Sequence, residues 1–196
     1  MPCESHFYCQ LDFENVAYPS PKNGFGNLAN NGCGPCSISM VAENMLGISF
    51  PPEQAAELAL QCGARADVGT DLYKLSRAFA KKFGLGLIET EDAAEALAFL
   101  NEGRGMVIAN TQGDRPKDGY IGVFSDGGHY IVLTAAKGTE VRVLDPMYRP
   151  GRFDKPGRIG KVRMEGHVAV SDMSVVEQDC RDRPYFLFSP PEADKG

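Results

Sequence analysis

Residues 31–47 constrain the fold of this chain more than any other segment, because they place a cysteine at the point where a loop becomes a helix. Gly34 and Pro35 follow Cys33, and proline is tolerated in the first helical turn, where its missing N–H would have no partner in any case. Apolar residues then recur at helical spacing up to Gly47, which is a typical C-terminal cap. The pattern therefore predicts a helix with Cys33 at its N-terminus.

This position gives Cys33 two interpretations. The helix dipole and the unpaired backbone N–H groups of a helix N-terminus stabilise a thiolate, which is the nucleophilic form of cysteine. The alternative is a small, buried and unreactive cysteine at a tight turn, because free cysteines are often buried. Other residues of the chain are needed to distinguish between these two interpretations.

The composition restricts the classes of partner. A chain of 196 residues predicts one domain over residues 1–196, and 43% hydrophobic residues are enough to form a core. A net charge of -6 argues against nucleic acid or an anionic membrane as the main partner. No apolar run has the length of a membrane span, and the N-terminus lacks the features of a signal peptide. We therefore expect a cytoplasmic protein, and the sequence gives no indication of its oligomeric state.

The even number of cysteines does not require disulfide bonds. The chain has six of them: Cys3, Cys9, Cys33, Cys36, Cys62 and Cys180. Disulfides stabilise small secreted domains that cannot build a sufficient core, and this chain is longer than such domains. We therefore expect reduced thiols, one of them reactive and several buried.

The first half of the chain is predicted to be mostly helical. An irregular arm is expected over residues 1–30, with a short strand at residues 7–13 and a loop leading to Cys33. After the Cys33 helix we expect helices at residues 53–63, at 70–84 with Thr70 as N-cap and at 93–101 with Asp92 as N-cap, and a short strand at 85–89.

The second half is predicted to consist mainly of strands. We expect strands at residues 106–110, 129–135, 140–145 and 185–188, added strand structure around His167 at residues 161–170, a short helix at 172–179 and a tail from residue 190 onward. Residues 111–127 form a long polar loop, a kind of segment that is often functional in compact domains. The basic residues Arg149, Arg152, Lys155 and Arg158 are expected on a solvated face. Helices followed by antiparallel strands predict an α+β fold.

His129 opens one of these strands, and Asp145 ends the next one. In an antiparallel hairpin that turns near Lys137 and Gly138, the start of the first strand lies beside the end of the second. We therefore predict that His129 and Asp145 are neighbours. A carboxylate in that place would fix the tautomer of the imidazole and stabilise its cationic form. The alternative is a strand-end histidine and a turn aspartate without a joint role.

Four short motifs occur in a fixed order along the chain. They are Gln10-Leu11-Asp12 near the N-terminus, Gly32-Cys33-Gly34-Pro35 at the helix start, Gly128-His129-Tyr130-Ile131-Val132-Leu133 on a strand and Val143-Leu144-Asp145-Pro146 on the next strand. Together they resemble the papain-like cysteine peptidases of the bacteriocin-processing C39 type and their C39-like relatives. The resemblance extends from about residue 9 to residue 148. It implies a papain-like fold, in which a helical half is followed by an antiparallel sheet.

The resemblance also implies roles for these residues. Cys33 would be the nucleophile, His129 the general acid and base, and Asp145 the residue that orients the imidazole. The reaction would be acyl transfer, in which a peptide or amide substrate forms a thioester that water hydrolyses. Neither a metal nor an organic cofactor would be required.

One position departs from the papain-like pattern. These enzymes usually carry a glutamine six residues before the nucleophile, where its amide donates to the oxyanion, and this chain has Asn27 there. The resemblance therefore implies Asn27 as a catalytic residue, with Asn30 or Asn31 as substitutes. Loop and helix-capping interactions are the alternative role for all three.

Three other functions remain alternatives. Cys33 and Cys36 allow a thiol–disulfide oxidoreductase, because Cys-Gly-Pro-Cys at a helix start is the active-site motif of thioredoxins. Against it, the segment before Cys33 is a predicted loop rather than a strand, and His129 and Asp145 would have no part in that chemistry. A zinc site would need a second close pair of ligands besides the two cysteines. The last alternative is a catalytically inactive papain-like scaffold that only binds a partner.

Overall fold

A computed structural model describes residues 5–191, so that Cys3 and the end of the predicted C-terminal tail lie outside the described residues. Within that range the chain forms six α-helices and a seven-stranded sheet. The helices are α1 (Leu28–Asn31), α2 (Cys33–Leu46), α3 (Pro52–Gln61), α4 (Leu72–Phe83), α5 (Ala93–Asn101) and α6 (Met173–Asp179). The strands are β1 (Gly86–Thr90), β2 (Met106–Thr111), β3 (His129–Lys137), β4 (Glu140–Leu144), β5 (Val162–Glu165), β6 (Val168–Asp172) and β7 (Tyr185–Ser189). The predicted α+β fold is confirmed.

The sheet has the strand order β1-β7-β2-β3-β4-β6-β5, and every neighbouring pair is antiparallel. Successive residues of a strand point to opposite faces of the sheet, and both faces are covered by helices. Ile108 and Val132 pack in one apolar cluster with residues of α2, α3 and α4, whereas Val107 and Ile131 pack in a second cluster with residues of α5 and α6. No helix among residues 5–191 is long and apolar enough to cross a membrane.

Helix α2 lies at the centre of the first cluster and packs against β3. Its residues from Cys33 to Glu43 are all buried. The helix ends at Gly47, whose φ of 64° is the left-handed conformation that glycine adopts most easily. The prediction that Cys33 lies at the N-terminus of a helix ending at Gly47 is therefore confirmed.

The segment before α2 differs from the prediction. The strand expected at residues 7–13 is wrong, because Gln10–Asp12 form a turn of 3-10 helix and Gln10 donates its backbone N–H to the Pro146 carbonyl at 2.7 Å. The loop expected directly before Cys33 contains α1, because the Asn27 side chain provides an N-cap for it. The arm is thus fastened to the region after β4 rather than added to the sheet.

Other boundaries agree with the prediction to within a few residues. Asp71 rather than Thr70 caps α4, since the Thr70 hydroxyl is already within 2.8 Å of the Tyr18 hydroxyl. Residues 161–170 add strand structure around His167 as expected, in the form of the β5–β6 hairpin with His167 in its turn.

The expectation of a solvated basic stretch is wrong for two of its four residues. Arg158 is 2% exposed, and its Nε donates to the Gly122 carbonyl at 2.9 Å. The Arg152 side chain is 13% exposed and donates to the Phe124 carbonyl. Their targets are backbone carbonyls that water does not reach, and so the two arginines fasten the loop before β3 to the segment after β4.

A buried carboxylate holds the same loop from the other side. Asp179, the last residue of α6, is fully buried and accepts the backbone N–H groups of Val123 at 2.9 Å and Phe124 at 2.7 Å. It also accepts the Tyr120 hydroxyl at 2.5 Å. These bonds satisfy a carboxylate that would otherwise be costly to bury. Because the loop leads directly into His129, Asp179 helps to place the start of β3.

We expect Asp179→Ala to lower the free energy of unfolding by about 3 kcal/mol, because two buried backbone N–H groups and the half-buried Tyr120 hydroxyl lose their acceptor. Urea unfolding measures this change. Asp118→Ala is the matched control, since Asp118 pairs with Arg115 and Arg181 at the surface, and its removal should cost less than about 1 kcal/mol. Equal losses for the two variants would contradict the role of Asp179.

Candidate active site

Two close contacts determine the backbone on either side of Cys33. Gly32 separates α1 from α2, and a Cβ atom there would lie 2.4 Å from the Leu28 carbonyl oxygen. A Cβ atom on Gly34 would lie 2.9 Å from the Cβ of Thr70. Both positions therefore require a residue without a side chain, and the two glycines allow Cys33 to occupy the first position of α2. There its backbone N–H has no partner within the helix.

The hairpin of β3 and β4 brings His129 and Asp145 together, as predicted. Its last pair is Lys137 and Glu140, and Gly138 adopts a φ of 64°, which a two-residue turn of this kind requires. The Nε2 atom of His129 lies 2.7 Å from Oδ1 of Asp145. Both residues are buried, at 3% and 1% exposure. The local register of the hairpin is therefore sufficient to form this contact.

His129 also contacts the cysteine. Its side chain lies close enough to Cys33, which is 9% exposed, for the two to influence each other's charge. Because Nε2 bonds to Asp145, Nδ1 is the ring nitrogen left to face the sulfur. Cys33 at the start of α2 therefore lies beside the hydrogen-bonded pair of His129 and Asp145 at the open end of the β3–β4 hairpin.

The carboxylate of Asp145 accepts three hydrogen bonds. Oδ1 accepts from His129 at 2.7 Å and from the backbone N–H of Met147 at 2.8 Å, and Oδ2 accepts from Nε of Arg152 at 2.6 Å. Burial alone would favour the neutral acid. The neighbouring His129 and Arg152 outweigh burial, and the pKa of Asp145 is lowered from its ordinary value. Asp145 is therefore a buried anion at neutral pH.

The protonation of His129 follows from these neighbours. Burial disfavours its charged form, but the charge and hydrogen bond of Asp145, together with Cys33, outweigh burial and raise the pKa of His129 to about 9. The imidazolium is therefore the dominant form at neutral pH. An imidazolium next to a cysteine favours the thiolate.

The asparagines before Cys33 have structural contacts of their own. Asn27 is half-buried, and its Oδ1 caps α1 by accepting the backbone N–H of Asn30 at 3.0 Å. Asn31 accepts the backbone N–H of Gly69 at 3.1 Å, and Asn30 is exposed. These are capping and loop interactions, and a catalytic role for Asn27 stays a prediction.

Gln10 is a buried residue for which the sequence motifs predict no individual role. It is 3% exposed, and its Nε2 donates to the Ala29 carbonyl at 2.8 Å. Ala29 stands four residues before Cys33, so its carbonyl would accept the Cys33 N–H if the helix were continuous. The break at Gly32 removes that bond, and the Gln10 side chain takes the carbonyl instead. The Gln10 amide is thus attached to the backbone four residues before Cys33.

Two site contacts were not predicted from the sequence. Gln10 belongs to the Gln10-Leu11-Asp12 motif, so a buried amide in that motif was the signal that could have identified it. Arg152 had no distinguishing signal, because it stands in a charge run whose other members include exposed residues such as Arg149.

The remaining thiols do not form a second reactive group. Cys36 is fully buried, and burial raises its pKa well above the ordinary value. Every cysteine of residues 5–191 is free. Within the same residues, no group of three His, Cys, Asp or Glu side chains is arranged to hold a metal ion. The thiol–disulfide alternative gains no support from this arrangement.

A scan of the sequence against protein-family models finds no match, and a search of curated proteins finds none either. The fold, in contrast, is similar to solved structures. It matches a C39-like peptidase from Bacillus anthracis with a TM-score of 0.59 and 13% identity, over 97% of this chain and 96% of that chain. It matches the peptidase domain of Streptococcus ComA, a bifunctional ABC transporter of a quorum-sensing pathway, with a TM-score of 0.55 and 16% identity, over 82% of this chain and 92% of that domain. The chain has the fold of the C39 peptidase domains.

The protonation state of His129 can be tested directly, because the chain has only three histidines. Histidine NMR signals, assigned with His6→Ala and His167→Ala, should place the titration midpoint of His129 near pH 9. The folded pKa lies above the value of about 6.5 in an unfolded chain. His129 therefore stabilises the fold fully below about pH 6.5, and this stabilisation is lost as the pH rises towards 9.

The same reasoning gives an expected stability profile. The difference in free energy of unfolding between the wild type and His129→Gln should shrink steadily as the pH rises from about 6.5 to 9. Unfolding in urea at a series of pH values measures it. An NMR midpoint at or below the ordinary histidine value would contradict the charged state of His129.

Proposed function

We propose that this protein is a cysteine peptidase or amidohydrolase that acts through a thioester. The observation that supports this most directly is the buried, hydrogen-bonded pair of His129 and Asp145 beside Cys33 at the N-terminus of α2. The two similar solved structures are described as peptidases, which supports a peptide or amide as the substrate class. Nucleophile, base and orienting group have the relation that acyl transfer requires.

In the proposed reaction the Cys33 thiolate attacks the substrate carbonyl carbon and forms a tetrahedral intermediate. The imidazolium of His129 then gives its Nδ1 proton to the leaving amine as the carbon–nitrogen bond breaks, which leaves a thioester on Cys33. Water attacks this thioester, with neutral His129 accepting its proton, and the acid product leaves as the carbon–sulfur bond breaks, which restores the Cys33 thiolate and the His129 imidazolium. Asp145 keeps the ring oriented throughout and stabilises its cation.

The oxyanion of the intermediate needs donors that are already in place. The backbone N–H of Cys33 is one, since it stands at the first position of α2 without a helical partner. We assign the second donor to the Gln10 amide rather than to Asn27. One hydrogen of its Nε2 is used by the Ala29 carbonyl, and the other is free to donate. The Oδ1 of Asn27, by contrast, caps α1, which fixes the side chain at the start of that short helix.

The reactivity of Cys33 tests this function first. We expect iodoacetamide to alkylate Cys33 well below the pH of about 8.5 at which a free cysteine titrates, because the imidazolium favours the thiolate. His129→Ala should shift the alkylation profile to higher pH. Mass spectrometry of the peptide that contains Cys33 measures both profiles.

His167→Ala is the matched control, because His167 stacks on Phe7 and bonds to the Ser5 carbonyl, outside the contacts of Cys33. It should leave the alkylation profile unchanged. Identical shifts in the two histidine variants, or a wild-type profile like that of free cysteine, would refute the proposed chemistry. Cleavage of a peptide library by the wild type, and none by Cys33→Ser, would identify the substrate preference.

A second pair of variants distinguishes Gln10 from Asn27 as the side chain that donates to the oxyanion. Gln10→Ala should slow acylation by a p-nitrophenyl ester by about 100- to 1000-fold, the usual effect of removing one oxyanion donor. Asn27→Ala should change that rate by less than about tenfold and cost about 1 kcal/mol of stability as a lost helix cap. Stopped-flow release of nitrophenol measures the rate, and the reverse ranking would assign the oxyanion to Asn27.

A further inference from the structure

The guanidinium of Arg152 joins the proposed active site to the loop before β3. Its Nε donates to Oδ2 of Asp145 at 2.6 Å, and its Nη2 donates to the Phe124 carbonyl. The backbone of Arg152 is held in turn, because Nη1 of Arg158 lies 3.5 Å from the Arg152 carbonyl oxygen. Arg158 is neutralised by a contact with Asp126. Among residues 5–191, Arg152 and His129 are thus the two cations in direct contact with the Asp145 carboxylate.

The charges of the site require such a group. In the state proposed for catalysis, Cys33 and Asp145 are anions and His129 is a cation, so the three side chains together carry one negative charge. None of these residues is more than 9% exposed, and a net charge in such surroundings is costly. The charge of Arg152 brings the total to zero.

We infer that Arg152 is a positioning residue of this site, which keeps Asp145 ionised and determines the pH range in which the Cys33 thiolate and the His129 imidazolium coexist. This inference rests on the proposed function. The planar guanidinium suits both tasks, because its fork binds the carboxylate through one nitrogen and the loop through another. A lysine would supply the charge but only one point of attachment.

Other titratable groups around the site stay neutral across this range. They are Tyr18, Tyr130 and Cys36 around the thiol and Cys9 near the carboxylate. Burial is the main cause that raises the pKa of each, to about 12 for Tyr18. A change in the charge of the site near neutral pH therefore belongs to the Cys33 thiol and the His129 imidazole.

The test is Arg152→Gln in the full chain, with two titrations. Ultraviolet absorbance, taken as the difference from Cys33→Ser, gives the midpoint at which the thiolate forms. Histidine NMR gives the midpoint at which His129 loses its proton. Removing a cation makes every proton-binding step of a coupled site more favourable. Both midpoints should therefore rise, by about one pH unit or more.

Two variants control this result. Arg149→Gln removes the same charge from the same segment, but Arg149 is exposed and pairs with Asp12, so both midpoints should stay in place. Arg152→Lys keeps the charge and should keep both midpoints near those of the wild type. Arg152→Met, which retains the packing of the arginine stem, is a second uncharged variant in case the Gln variant does not fold.

Midpoints that stay at the wild-type values in the uncharged variants, with only stability lost, would overturn the inference and leave Arg152 as structural support. A wild type without a thiolate at low pH would refute the proposed function instead. The two failures are therefore distinguishable, since the first concerns the variants alone and the second appears before any arginine is changed.

Discussion

The fold places a carboxylate where water cannot reach it, and much of the site follows from the need to satisfy that charge. Asp145 is 1% exposed and accepts from a histidine, an arginine and a backbone N–H. These donors come from β3, from the segment after β4 and from the turn directly behind the carboxylate. The interactions that stabilise one buried anion thereby also orient the imidazole and attach the loop that leads into it.

The parts of the site that were predictable are those that depend on local sequence. The start of α2 follows from Gly34, Pro35 and the helical spacing behind them, and the contact of His129 with Asp145 follows from the register of one hairpin. Each requires only that neighbouring residues adopt regular geometry. The α+β class was predictable for the same reason, since the helices and strands segregate along the chain.

The remaining contacts depend on which segments meet in space, and periodicity contains no information about that. Gln10 reaches Ala29 because a 3-10 turn replaces the expected strand and is fastened to Pro146. The Arg152 side chain is only 13% exposed whereas Arg149, three residues earlier, is exposed, and nothing in a run of basic residues distinguishes them. The strand expected at residues 7–13 does not form, because Phe7 stacks on His167 in the β5–β6 turn and Gln10–Asp12 form a 3-10 turn.

The strand order has a consequence for how the protein is made. β7, the last strand of the chain, lies between β1 and β2, so the sheet cannot close until residues 185–189 have been synthesised. Cys33 leaves the ribosome long before His129, and its helix has no complete sheet to pack against at that stage. Pairings over such sequence distances form late in folding. The sheet that carries His129 is therefore complete only after translation of nearly the entire chain.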